Sequence, residues 1–282
     1  VSFARIYSFL YISSFCELLI IIYYEKLFGG HMRISICDDK RDLGKLAARA
    51  GADMIKSAIE TRGEAFIVLE SGASQIETLK NLALYDDIQW DKVTVFQFDE
   101  FLDIDTESPQ SNSYFIQTCF IDLLGEQKLK NFYYLDSSVN TIKYINDIAE
   151  KIRFDVAFAC IGENGHIGYN DPPANFSIPD PYIDVTLNLR SRKQLVTEGW
   201  FKKLDDVPTR AITLSITKLL QSRIILVSCP DQRKARGVAA CLFEPYNPQY
   251  PCTALRRKKQ VSLFLDQTSS MLIMGDRRPS DF

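Results

Sequence analysis

Histidine is scarce in this chain: its 282 residues hold two, His31 and His166. A zinc site would need a cysteine or carboxylate majority at spacings that do not occur, so no metal is expected, and no organic cofactor either. The seven cysteines, at 16, 37, 119, 160, 229, 241 and 252, form an odd set without a CxxC pair. Most lie in apolar runs such as Ala157-Phe158-Ala159-Cys160 and read as reduced core thiols, which favours a cytoplasmic protein over a disulfide-stapled secreted one. An excess of one charge is also missing. With 33 Lys+Arg against 36 Asp+Glu and a pI near 5.6, there is no general attraction for nucleic acid or an anionic membrane, and no nucleic-acid partner is expected. Any phosphate must be held locally. Neither GxxxxGK[ST] nor GxGxxG occurs, which excludes the P-loop and the dinucleotide fingerprint.

Long apolar runs are absent with one near-exception. Phe9 to Tyr24 is almost wholly apolar and aromatic, broken by Glu17, but its 16 residues fall short of the roughly 20 needed to cross a bilayer as a helix. It has neither a basic leader nor a small-residue cleavage site. Residues 1–31 are therefore read as an apolar extension outside the natural chain, which is expected to start at Met32; a membrane partner would require that this extension be real and insert.

What is present argues for a globule. A hydrophobic share of 46% beside 24% charged residues excludes disorder. From Met32 onward short apolar runs alternate with helical patterns. Asp39 or Asp42 can cap a helix whose apolar stripe carries Leu43, Leu46, Ala47, Ala50, Met54 and Ile55, and Gly63 can stop it. Runs at 33–37, 66–69, 93–98, 156–160, 224–227 and 261–265 read as buried strands. Helical stretches are expected near 74–84, 113–124, 140–152 and 231–243. Strands apolar on both faces and separated by helices imply an α/β fold, a mainly parallel, doubly wound, Rossmann-like sheet with helices on both faces. One domain is expected over 32–275, with a loose polar tail at 276–282.

Ligands in such folds bind beyond the carboxyl ends of the strands. Three of those ends carry chemistry. After Phe66 to Leu69 comes Glu70-Ser71-Gly72-Ala73-Ser74-Gln75, where Gly72 admits close backbone approach and successive amides at a helix start can cradle a phosphate. After Val93 to Phe98 comes Asp99-Glu100, two carboxylates that point in different directions; one can face the crevice as a general base while the other is tied down. After Val156 to Cys160 comes Gly162-Glu163-Asn164-Gly165-His166-Ile167-Gly168-Tyr169-Asn170-Asp171-Pro172, with an imidazole suited to proton exchange at its centre and Asn164 and Asp171 as candidates to fix its tautomer.

That last segment resembles the loop GxxGHIxFNEP of the glucosamine-6-phosphate deaminases and their galactosamine-6-phosphate isomerase relatives, within a wider group that includes the sugar-phosphate lactonases. Ser71-Gly72 and Asp99-Glu100-Phe101 fall in matching order, and Glu198-Gly199-Trp200-Phe201, Asp205-Asp206-Val207-Pro208 and Ala211 to Leu214 look like a deaminase-like branch. The resemblance spans about 32–272. It implies a metal-free conversion of an amino-sugar phosphate to a ketose phosphate with release of ammonia. Asp99 matches the carboxylate that moves a proton from C2 to C1, and His166 the ring-opening residue. Asp171 stands for a glutamate behind that histidine, Lys234 matches the phosphate-binding lysine, the amides of Ser71, Gly72, Ala73 and Ser74 complete the cradle, and Arg192 is a further phosphate ligand. Relatives include monomers and hexamers, so a homo-oligomer is allowed. Lactonases typically lack the HIxFN stretch.

The chain also departs from the pattern. Asn164 stands for a common aspartate, Asp103 for a glycine, and Pro109-Gln110-Ser111-Asn112 for proline-glutamate-serine-tyrosine. A non-catalytic sugar-phosphate-binding homologue is therefore the alternative to an enzyme.

Overall fold

The computed structural model describes residues 5–12, 18–25, 31–136 and 139–274. The expected tail at 276–282 and Cys16 lie outside them. In chain order the strands are β1 (Arg5–Ile12), β2 (Leu18–Glu25), β3 (His31–Cys37), β4 (Ala65–Leu69), β5 (Val93–Gln97), β6 (Asp99–Phe101), β7 (Asn131–Tyr133), β8 (Val156–Ala159), β9 (Tyr182–Thr186), β10 (Arg210–Leu214), β11 (Ile224–Cys229) and β12 (Val261–Asp266). The α-helices are α1 (Lys40–Arg62), α2 (Ile76–Ala83), α3 (Asn112–Ile116), α4 (Val139–Ala149), α5 (Leu189–Thr197), α6 (Ile216–Gln221) and α7 (Ala235–Phe243).

The larger sheet runs β1-β2-β3-β12-β11-β8-β4-β5-β7, and every pairing from β3 to β7 is parallel. Its buried strands explain the unbroken apolar runs: all four residues of β8 and all six of β12 are buried. One face is covered by α1, α2 and the 112–124 segment, and the other by α4, α6 and α7, each with its own apolar cluster. The fold is the doubly wound α/β architecture.

Local signals behave as expected at α1. Asp39 accepts from the amides of Arg41 and Asp42 at 2.7 and 3.0 Å, and Gly63 ends the helix in the left-handed conformation with φ of 80°. Residues 112–124 are helical but change pitch, from α through a π turn at Gln117–Ile121 to a 3₁₀ turn at Asp122–Leu124.

β7, α5 and α6 were not expected, nor were two larger features. Within the N-terminal extension, the described stretches β1 and β2 form an antiparallel hairpin that continues the sheet beside β3. Among the described residues no helix is long and apolar enough to cross a membrane. The second is a separate antiparallel sheet, β6-β10-β9, over a small cluster of Phe101, Leu187, Phe201, Val207 and Ala211. This small sheet begins where β5 ends: Phe98 carries the chain across, and Asp99 enters β6 opposite Thr213.

Candidate active site

A cavity of about 110 Å³ opens beyond the carboxyl ends of β4, β5, β8 and β11. Its walls bring together Ser71, Gly72, Ala73 and Ser74, Asp99, His166, Asp171 and Lys234. Four separate loops thus deliver eight of the ten expected residues to one place.

Asp99 and Glu100 are adjacent and differently used. Both are buried. Glu100 is tied down by six hydrogen bonds: Oε1 accepts from the amides of Phe101 (2.8 Å) and Asn112 (3.1 Å), and Oε2 from Gln97 Nε2, the Ser111 hydroxyl, and the amide and hydroxyl of Ser113. Asp99 faces the cavity. Burial pushes its pKa well above the ordinary carboxylate range, and the neighbouring Glu100 charge adds to the rise; hydrogen bonds from Asn112 and Ser71 oppose it. Asn112 Nδ2 lies 2.8 Å from Asp99 Oδ1 and 3.2 Å from the Tyr169 hydroxyl. Two departures from the resembled motifs, Asn112 for a tyrosine and Tyr169 for a phenylalanine, thus form one hydrogen-bonded unit that also holds the acid. The departure at Asp103 marks a backbone that needs a left-handed residue, with φ of 62°.

The histidine loop is fixed from within. His166 donates its amide to Asn164 Oδ1 at 3.1 Å, and Gly162 donates to the His166 carbonyl at 2.9 Å. Asn170 Nδ2 reaches the carbonyls of Ile167 and Leu214 at 2.9 and 2.8 Å. Two glycines are required by space. A Cβ at Gly162 would lie 2.0 Å from His166 Nε2, and one at Gly168, where φ is 53°, would lie 2.9 Å from Asp99 Oδ2. His166 Nδ1 is 3.6 Å from Asp171 Oδ1, too far for a hydrogen bond, and it has no hydrogen-bond partner. Asp171 instead accepts from the Ser191 hydroxyl and the Asn188 amide. Burial, then the nearby positive charges of Lys234 and Arg190, lower the His166 pKa to about 3. The imidazole is neutral near pH 7.

At the other end Lys234 is buried on a 3₁₀ turn, Gln232–Lys234, that leads into α7. Its neighbour Arg233 lines the same cavity, and both face Glu198, with Oε1 4.0 Å from Lys234 Nζ and 3.7 Å from Arg233 Nη1. Glu70 also lines the cavity, accepting from the Cys160 amide. Its pKa is well above the ordinary carboxylate range, chiefly through burial.

Two expected residues stand elsewhere. Arg192 does not line the cavity; its Nη2 donates to the carbonyls of Leu204 and Val207 at 2.8 and 2.9 Å, so its guanidinium braces a turn and does not meet a phosphate. Asn164 faces a wider cavity of about 650 Å³ with Glu163, Arg190 and Arg236, and reaches the site only from behind, through the His166 amide and a hydrogen bond to Asp171. Sequence reasoning missed Asn112 as a donor to Asp99, and Glu70, Arg233 and Glu198 as cavity walls. Arg233 had a signal, its position beside Lys234.

A model of the family described as glucosamine-6-phosphate isomerases/6-phosphogluconolactonase matches residues 38–169. Over that stretch the chain is similar to this family. A glucosamine-6-phosphate deaminase of Clostridium botulinum (strain Eklund 17B / Type B) is 26% identical over 259 residues, covering 89% of this chain and 99% of the relative. One of Mycoplasma mycoides is 27% identical over 231 residues, covering 79% and 91%. Among solved structures, a monomeric glucosamine-6-phosphate deaminase superposes with a TM-score of 0.75 at 23% identity, over 85% of this chain and 99% of that one. The 6-phosphogluconolactonase of Trypanosoma brucei gives 0.67 at 15%, over 84% and 97%. At those identities the structural likeness speaks for the shared fold.

Proposed function

We propose that this chain is an amino-sugar-phosphate deaminase/isomerase, taking glucosamine 6-phosphate or a close epimer, with water, to a ketose 6-phosphate and ammonia. The observation that carries the reading is the meeting of Asp99, His166 and Lys234 in one cavity beside the 71–74 loop. An aldose–ketose conversion needs a base over a carbon acid, an acid–base group at the ring oxygen, and a fixed anionic handle that orients the reacting end.

In this reading Lys234, Arg233 and the amides of Ser71 to Ser74 hold the phosphate. Neutral His166 relays a proton between the ring oxygen and the C1 hydroxyl as the sugar opens. Asp99, once ionised, takes the C2 proton and returns it to C1; water then adds at C2 and ammonia leaves. The raised Asp99 pKa makes its carboxylate a stronger base than an exposed one, and Asn112 and Ser71 keep it pointed at the cavity. Asp171 limits the tilt of the imidazole across the 3.6 Å gap. The buried thiols of Cys160, Cys229, Cys241 and Cys252 support a reducing compartment, the cytoplasm.

A second reading, a binding protein without turnover, draws on that same gap, which leaves His166 Nδ1 without a partner. Incubation with glucosamine 6-phosphate and with galactosamine 6-phosphate, reading ammonia and ketose phosphate, separates the two. Catalytic release of both products from either sugar is expected. Saturable binding of both sugars without product would leave the binding protein.

A further inference from the structure

Glu198 sets a requirement on the ligand that a simple cationic grip would not. It follows α5, its side chain is 11% exposed, and it lines the cavity between the two cations of the Lys234 turn and the aromatic segment at Trp200. It does not float between its counter-ions. Gln194 Nε2 donates to Oε1 at 2.8 Å and Trp200 Nε1 to Oε2 at 3.3 Å, so two neutral donors from its own segment fix the carboxylate in place. Trp200 is in turn packed edge-on against Phe115, with ring centroids 6.0 Å apart. A phosphoryl group drawn to Lys234 and Arg233 therefore arrives beside a fixed hydrogen-bond acceptor. Two bare anions in that space repel; one shared proton between them turns the repulsion into a charge-assisted hydrogen bond.

We propose that Glu198 is a specificity-determining residue that accepts a hydrogen bond from a protonated phosphoryl oxygen, so that the cavity selects a proton-bearing oxyanion and rejects a proton-free one such as sulfate. The inference rests on reading the Lys234 end as the phosphate grip. The charged and titratable groups around Glu198 are Arg233 and Lys234, which face it directly, and Cys160, which it influences electrostatically. Glu70, Glu163 and Cys229 act on Lys234 in the same way, Asp231 lies 3.9 Å from Arg233, and His166 feels Lys234. A sugar phosphate loses its second proton at roughly pH 6. Above that pH binding must take up a proton, so affinity rises as pH falls toward it; below it the ligand brings its own and the rise levels off.

Hydrogenphosphate and sulfate are dianions of one shape at pH 8 that differ by a proton. Titration calorimetry of the full chain with each is expected to show phosphate preferred at least about tenfold, and in Glu198→Gln the preference is expected to shrink below about threefold. A measurement that needs no variant is the proton count: fructose 6-phosphate binding at pH 7.5, in buffers of different ionisation enthalpy, should take up close to one proton. Equal binding of sulfate and phosphate, or fructose 6-phosphate binding with no proton uptake, overturns the role of Glu198 and leaves the phosphate grip standing. Failure of the wild-type chain to bind either phosphate compound overturns the grip itself, and the proposal with it.

Discussion

The two ends of the cavity are built on opposite electrostatic plans. Around Asp99 the partners are neutral: an amide from Asn112, a hydroxyl from Ser71, and among the described residues no cation at ion-pair distance. Around Lys234 the partners are charged and arranged in opposition, Arg233 and Lys234 against Glu198, with Asp231 beyond. Burial acts on both ends, but its effect differs. A carboxyl held only by neutral donors is pushed toward its protonated form and becomes a base of useful strength, whereas Lys234 keeps its charge because nearby anions outweigh the loss of water. On the proposed function, the group that exchanges the proton is kept from counter-ions, and the one that grips the phosphate is given them.

The adjacent acids at the neutral end provide the sharpest way to break this comparison. Glu100→Ala strands the amides of Phe101 and Asn112 and the Ser111 hydroxyl in the interior, and chemical denaturation should show about 3–5 kcal/mol of lost stability. Asp99→Asn leaves fold and sugar-phosphate binding in place but removes the base, so turnover should fall at least about a hundredfold, near 3 kcal/mol of barrier. A stable, inactive Asp99→Asn beside an unstable Glu100→Ala assigns one acid to chemistry and the other to architecture. Undiminished turnover in Asp99→Asn would remove that residue from the mechanism.

Much of this arrangement was legible in the sequence because strand ends carry it. Six of the seven parallel strands announce themselves as apolar runs, the short edge strand β7 does not, and the residues just after β4, β5 and β8 line the cavity as expected. The small sheet was not legible. β6 is three residues long, β9 is partly exposed and the buried part of β10 is only four residues, so no long apolar run or strict alternation marks them. Glu70 and Glu198 escaped notice because an acid beside a glycine-rich turn or past a helix end has no pattern of its own; only the folded chain shows both lining the cavity, with Glu198 facing Lys234. Arg192 misled for the converse reason: a cation near a motif suggests an anion, but two backbone carbonyls had claimed it.

His166 sharpens the contrast through pH. Its pKa is about 6.5 in the unfolded chain and about 3 in the fold, where burial and the charges of Lys234 and Arg190 resist a further cation. The unfolded state therefore takes up a proton below pH 6.5 that the native state refuses until about pH 3. The stability that the neutral imidazole contributes is fully present above pH 6.5 and is lost as pH falls through that window. Between pH 7 and pH 5 the loss is about 2 kcal/mol, some 1.5 pH units at 1.36 kcal/mol each. Carboxyls with raised pKa, Asp99 and Glu70, act in the opposite direction, so the measurement is the difference between wild type and His166→Gln by denaturation at both pH values. Equal pH slopes in the two proteins would mean that His166 titrates normally and can enter the reaction as imidazolium.

The smallest effect concerns what belongs to the charged end. Arg192→Ala removes two hydrogen bonds to the Leu204 and Val207 carbonyls, and also a guanidinium whose buried Nε has no partner. The gain from removing that orphan offsets part of the loss, leaving about 1–2 kcal/mol of destabilisation. If the charged end consists of Lys234, Arg233 and the 71–74 loop alone, fructose 6-phosphate affinity should change less than about twofold. A weakening of tenfold or more, with the fold intact, would move Arg192 into the grip and give the cavity a third cation against Glu198, which would in turn lower the proton uptake expected on phosphate binding.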